Sequence, residues 1–251
     1  MSGIEVRPLA TLDEYKEAVR LQKEIWGFED IELLPLRLFV VAGKVGGQVM
    51  GAFDGARMVA FLLAIPGLKS GGKTYLHSHM MGVLPEYRNR SLGRRLKLAQ
   101  REEALARGIR LIEWTFDPLE LKNAYLNIEK LGAVVRRYVL NQYGTTTSHL
   151  HGGLPTDRCV AEWHIAHPRV RALLESGAFP RPEVEARVEV PAGIAALRSA
   201  DPAGARRIQQ RVSEEFLAHL GRGLAVTGFE RTPAAGIYQF GRFNPEDGVS
   251  H

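Results

Sequence analysis

The stretch that most constrains the fold is Val83-Leu84-Pro85-Glu86-Tyr87-Arg88-Asn89-Arg90-Ser91-Leu92-Gly93-Arg94. Before it, Thr74 to Val83 reads as a β-strand. After it, Leu92 to Arg107 has the apolar spacing of an amphipathic helix. Leu92, Leu96, Ala99 and Leu105 fall on one face, Arg94, Arg95, Lys97 and Arg101 lie elsewhere, and Gly108 follows as a terminator. A strand feeding a helix through a tight turn leaves the first backbone N–H groups of the helix without intrahelical acceptors. Those donors and the helix dipole favour a phosphate or pyrophosphate. Arg88, Arg90, Arg94 and Arg95 crowd the turn and add charge-assisted donors. The plainer alternative is a solvated basic helix start with no ligand.

The rest of the chain surrounds this junction with alternating elements. Ile4 to Pro8 alternates like a short strand, and Thr11 with Glu14 forms a capping box for a helix running to Gly27. Pro35 to Ala42 reads as a second short helix. Val45 to Phe53 and Arg57 to Ile65 read as strands joined at Asp54-Gly55, a hairpin signal. Beyond Gly108, a strand is expected over Leu111 to Phe116, a helix over Leu119 to Leu131 and a strand over Val134 to Tyr138. The expected fold is α/β: a mixed, mostly antiparallel central sheet flanked by helices, with a C-terminal α+β elaboration. Residues 1–150 would form the core, and residues 151–251 an extension packed on it. In that extension Val160 to Ile165, Val188 to Val190 and Ile237 to Phe243 read as strands, His167 to Pro182 as a helix followed by a Pro-rich connection, and Pro202 to Leu220 as a helix.

Charge alone does not identify the ligand. A net charge of +5 suits an anionic phosphorylated molecule as well as nucleic acid. Arg88 to Arg101 holds no aromatic residue on which bases could stack, which argues against a nucleic-acid module. One cysteine, Cys159, excludes an internal disulfide and a multi-cysteine zinc site, and the chain has no HExxH pattern, so no metal is expected. No apolar leader follows Met1, and the most apolar run, Met58 to Pro66, is too short to span a bilayer. The expected location is the cytoplasm, with no membrane partner.

Val83-x-Pro85-x-Tyr87-Arg88-x-Arg90-x-x-Gly93-x-x-Leu96 resembles the acyl-CoA signature of the GNAT superfamily, the Gcn5-related N-acetyltransferases. The family core is written Q/R-x-x-G-x-G/A, and this chain matches at Arg88 and Gly93 but carries Ser91 at the first glycine. A serine fits there if its φ is negative. Glu129-Lys130-Leu131-Gly132-Ala133 is similar to a second family stretch, and the element order resembles the family from about Ile4 to Gly144. A narrower likeness involves Trp114 to Glu120, Asn123-Ala124, Asn127, Tyr143-Gly144 and Leu154 to Arg158. These segments look like a GNAT subgroup associated with N-succinylamino acid racemases of the enolase superfamily.

The resemblance implies direct transfer of an acetyl or succinyl group from acetyl-CoA or succinyl-CoA to the amine of a small molecule, a D-amino acid in the subgroup. A protein or peptide N-acetyltransferase and a non-catalytic CoA sensor are the rival readings, and a homodimer stays open. The implied cofactor contacts are backbone groups of Met81, Gly82 and Val83, the turn Arg88, Asn89, Arg90, Ser91, Leu92, Gly93 and Arg94, and Asn123 with Asn127, which an α-helix would place on one face at i,i+4. Period-two spacing puts His77, His79, Met81 and Val83 on one strand face. His79 is the first candidate base and Glu113 the second; hydrogen-bonded or edge residues are the bland readings of these side chains. The family tyrosine four residues before the glycine is Ile128 here, so the acid falls to Tyr143 or Tyr125, or the thiolate leaves unassisted. Arg158 is the candidate for gripping a carboxylate, against a loop pair with Asp157. His149 and His151 lie in a polar loop.

Overall fold

The computed structural model describes residues 3–144 and 154–247. Among these, no helix is long and apolar enough to cross a membrane. The chain divides into two compact units, with the boundary between Glu113 and Trp114. His149 and His151 lie outside the described residues.

The first unit begins with β1 (Glu5–Pro8) and α1 (Leu12–Trp26). Thr11 caps α1 with the reciprocal Glu14 bond of a capping box, and Gly27 closes it at φ 67. Next come α2 (Leu36–Lys44), β2 (Gln48–Asp54), β3 (Arg57–Leu68), β4 (Thr74–Val83) and α3 (Leu92–Ala106). Then β5 (Leu111–Phe116) opens. The strand order is β1-β2-β3-β4-β5. All pairs are antiparallel except β4 with β5. The run Val59 to Ala64 of β3 is wholly buried, as a central strand covered on both faces must be.

The β3–β4 ladder slips once. Leu63 pairs with Met80 and Ala64 with Ser78, so His79 is an extra residue, a β-bulge. This overturns the expectation that His77, His79, Met81 and Val83 share one face. Lys97 on α3 donates to Ser78 Oγ at 2.7 Å, and Met81 Cε approaches Gly93, also on α3. Two residues an odd number apart can face the same helix only if one between them is out of step.

The second unit takes up the rest of β5 and continues with α4 (Leu121–Tyr125), β6 (Val134–Val139), β7 (Arg158–His164), α5 (Pro168–Ser176), β8 (Ala186–Pro191), α6 (Ile194–Ala200), α7 (Pro202–Gly221), β9 (Ala225–Arg231) and β10 (Ala235–Gly241). Its strands run in the order β7-β6-β9-β10-β8, and the pairs are antiparallel. Tyr138, Phe216, Phe229, Tyr238 and Phe240 form its aromatic core in edge-to-face and tilted pairs. The single helix expected over Leu119 to Leu131 is shorter and changes pitch: after Tyr125 the chain runs through a π-helical turn, Leu126–Lys130. Strand β9 and helix α6 were not anticipated from the sequence.

Candidate functional site

The turn between β4 and α3 is built from short local bonds. Tyr87 N–H donates to Leu84 O at 2.9 Å and Arg88 N–H to Pro85 O at 3.2 Å, closing a 3-10 turn. The α3 ladder opens with Arg95 N–H on Ser91 O at 3.0 Å. The amides of the first turn precede that bond and lack intrahelical acceptors. No side chain caps this helix start. In α1, α5 and α7, by contrast, the side chains of Thr11, His167 and Asp201 supply a cap. The helix start is therefore available to an external anion.

The backbone winds into this start through two left-handed residues, Asn89 at φ 61 and Ser91 at φ 58. The condition for an unstrained serine, a negative φ at Ser91, is not met. The turn keeps a left-handed backbone that suits glycine and forces a serine into it, at a cost of about 1 kcal/mol. Ser91→Gly should therefore raise the denaturant midpoint, with a gain of about 0.5–1 kcal/mol and an unchanged m-value. A lower midpoint would show that the serine hydroxyl, not the backbone, governs this position.

The arginines divide by role. Arg88 donates to Val83 O at 3.2 Å and Ile25 O at 3.3 Å, so it braces the end of β4 against α1. Arg95 donates to Ile4 O. Arg90 is exposed with its guanidinium 5.1 Å from the Tyr87 ring centroid, and Arg94 is half-buried in the first turn of α3. Leu92 is buried, so it offers a ligand only its backbone. Gly93 lies over β4: an added Cβ would stand 3.3 Å from Met81 Cε. At Gly82 a Cβ would meet Ile25 and Trp26 of α1 at 2.7 Å, a far closer approach.

On β4 the rings of His77 and His79 are 5.8 Å apart. Partial desolvation lowers the pKa of both below the ordinary imidazole value, although the His79 side chain stays exposed on the strand. For His77 the neighbouring His79, Lys97 and Lys69 push the same way, and Glu113 opposes them. Both rings are therefore neutral at pH 7 and able to accept a proton. Glu113 pairs in register with His77 and is buried, and its carboxylate is held by Lys69 at 2.7 Å. Lys97, assigned by its periodicity to the polar side of α3, is in fact buried, and desolvation lowers its pKa well below the ordinary value. Its amine binds Ser78 Oγ and, at 3.1 Å, Gln100 Oε1. A lysine in an amphipathic pattern carries no sign of this.

The other candidates belong to the second unit. The π-helical turn breaks the i,i+4 relation assumed for Asn123 and Asn127: Asn123 is exposed and Asn127 buried. Ile128 is fully buried, and the Tyr125 ring lies between Lys130 and Arg231, 5.2 and 5.5 Å from its centroid. The Tyr143 hydroxyl is 2.9 Å from Thr115 Oγ1, and the Arg158 guanidinium sits 5.4 Å from the Tyr143 ring centroid. Arg158 is the buried first residue of β7 and donates to Asp157 O at 3.0 Å. Asp157 accepts from Asn141 N–H and Ser213 Oγ, at 2.8 and 2.7 Å. Among the described residues, no group of three His, Cys, Asp or Glu side chains could hold a metal ion.

Residues 10–132 match the family model for acetyltransferases of the GNAT family. Among solved structures the fold resembles a putative GNAT acetyltransferase from Desulfovibrio desulfuricans, at 14% identity and TM-score 0.53 over 65% of this chain and 100% of that one. It also resembles the ribosomal-protein-S18-alanine N-acetyltransferase of Escherichia coli, at 18% identity and TM-score 0.52, covering 66% of this chain and 96% of that one. Arabidopsis thaliana NAA60, solved with acetyl-CoA, is similar at 14% identity and TM-score 0.52 over 64% and 99%. Identities this low establish a common fold. No curated protein matches the sequence.

Proposed function

We propose that this chain, which carries a GNAT acetyltransferase fold with its family match over residues 10–132, is an acyl-CoA-dependent N-acyltransferase acting on the amine of a small molecule. The observation that carries this reading is the uncapped start of α3 behind the left-handed Ser91, ringed by arginines and preceded by a strand bearing neutral histidines. In this reading residues 1–150 form the acyl-CoA core and residues 151–251 its extension.

The first-turn amides and Arg90 and Arg94 hold the pyrophosphate, with Asn89, Ser91 and Gly93 giving it room; Arg88 keeps the turn in shape. Backbone groups of Met81, Gly82 and Val83 align the pantetheine and the thioester carbonyl. The amine nitrogen attacks the carbonyl carbon, and its proton passes to His79. The C–S bond then breaks, and the thiolate leaves with a proton from Tyr143 or unassisted. Glu113, held by Lys69, is the weaker candidate for the base. Arg158 binds a substrate or succinyl carboxylate. The resemblance to the succinylamino-acid subgroup favours succinyl-CoA with a D-amino acid.

A thiol-release assay over acetyl-CoA and succinyl-CoA, with amino acids and a peptide amine, tests this. CoA release with an amino acid is the expected result, faster with succinyl-CoA. Faster turnover of the peptide would move the substrate class, and no acyl-CoA binding at millimolar concentration would overturn the reading.

His79 also sets a pH expectation. A depressed pKa keeps the base neutral down to pH values below the ordinary ~6.5, so kcat should fall only on the acid side of that value. His79→Gln should lower kcat roughly 100-fold and abolish that acid limb. If the limb persists in the variant, His79 is not the base.

A further inference from the structure

The 20-residue helix α7 of the second unit turns one row of side chains to solvent. Arg206, Gln210 and Glu214 are exposed and stand four apart, so they form a single ridge along the helix, with exposed Leu217 beside it. The neighbouring arginines are matched within the chain: Arg211 pairs with Glu215 at 2.9 Å, and Arg207 approaches Asp201 at 3.8 Å. Arg206 has no ion-pair partner among the described residues. Glu214 accepts from Gln210 Nε2 at 2.9 Å, a bond that brings it no opposite charge. Eight residues of helix separate Arg206 from Glu214 by about 12 Å, too far for the two to pair within one chain.

The ridge borders an open groove of about 360 Å³, whose opposite wall is made by Leu140, Pro155 and Asp157. That wall is fixed to α7 by Gln209 Nε2 on Pro155 O and Ser213 Oγ on Asp157 Oδ2, each at 2.7 Å. Leu140 and Leu217 both line the groove and are 56% and 42% exposed. Apolar surface of this kind, held between rigid walls, favours association that removes it from water.

The charge pattern of the ridge is complementary to itself. Arg206 and Glu214 lie equally far from Gln210 on either side. A two-fold axis beside Gln210 therefore lays a second α7 antiparallel to the first and sets Arg206 opposite Glu214 of the partner subunit, and the reverse. Ridges of residues four apart pack together at a crossing of about −50°, the commonest arrangement of paired helices, and that crossing aligns the two ridges. We infer that the chain forms a two-fold dimer through the α7 ridge and its groove, held by two Arg206–Glu214 ion pairs between subunits and by burial of Leu140 and Leu217. The dimer is independent of any acyl transfer.

Sedimentation equilibrium of the full chain without CoA, at micromolar to millimolar concentration, tests the proposal. A monomer–dimer equilibrium is the expected result. Arg206→Glu and Glu214→Arg each set like charges opposite one another at two symmetry-related places, and each should raise the dimer dissociation constant at least roughly tenfold. The double variant Arg206→Glu/Glu214→Arg exchanges the two charges, so each again faces its opposite across the axis, and dimerisation should return. Both side chains are exposed, and unchanged circular dichroism of the variants confirms that the subunit stays folded. A monomer at every concentration, a dimer that the single variants leave intact, or a double variant as weak as the singles would overturn the inference.

Discussion

Gly93→Asp should reduce the affinity for acetyl-CoA at least roughly 100-fold, with little change in the stability of the free protein. The two effects separate because of where Gly93 sits. It is in the first turn of α3, where an acidic side chain is welcome to the helix dipole, so the fold gains rather than loses. The added Cβ meets only the flexible end of Met81, at 3.3 Å, and a thioether terminus can yield by that much. A pyrophosphate, however, would then face a carboxylate inside the cradle of amides, with charge repulsion in place of a hydrogen bond. Gly93→Ala supplies the bulk without the charge and should lose less. Calorimetric titration with CoA gives the affinities, and thermal melts of the free proteins give the control. Wild-type affinity in Gly93→Asp would mean that the α3 start is not where the pyrophosphate binds.

Arg198→Met should cost about 3–5 kcal/mol of stability. Arg198 of α6 is buried and bridges Asp117 Oδ2 at 2.7 Å and Glu120 Oε1 at 2.8 Å. Asp117 is itself buried just after β5, where Oδ1 also accepts the Leu119 N–H. Methionine fills much of the volume but takes away the guanidinium that compensates the carboxylate. The melting temperature should fall on the order of 10 °C, followed through Trp114 and Trp163, which pack edge-to-face within the second unit. Adding Asp117→Asn to Arg198→Met removes the charge that was stranded and should recover part of the loss. A cost under about 1 kcal/mol for the single variant would mean that the bridge is solvated and contributes little.

The features legible in the sequence are those written in local chemistry. The Thr11–Glu14 capping box, the terminator Gly27, the hairpin after Asp54 and the span of α3 stand where their residues predict, although the buried face of α3 takes in Lys97 and Gln100. The α3 turn was legible for the same reason: its arginines and glycine lie within a few residues of one another. The features that stayed hidden are set by partners far along the chain. The bulge at His79 is fixed by how β4 registers against β3, and Leu126 to Leu131 presents the same apolar residues whether the helix is α or π. Lys97 reads as a surface charge because one of the acceptors that make its burial tolerable, Ser78, lies nineteen residues earlier in the chain. Strand β9 carries Gly228 in its middle, which weakens any strand signal; a Cβ there would push aside the end of the Gln239 side chain on β10.

The extra residue at His79 also works as a spatial reading frame. Upstream of it, alternate residues of β4 are read by α3 in one phase; downstream, in the other. A strand that took His79 into regular alternation would turn Met81 from Gly93 toward α1 and flip every side chain after it. Deleting His79 would instead leave Ser78 and Met81 two apart and on the same face. What fixes the faces of β4 is therefore where the extra residue is set aside, and not merely how many residues the strand contains.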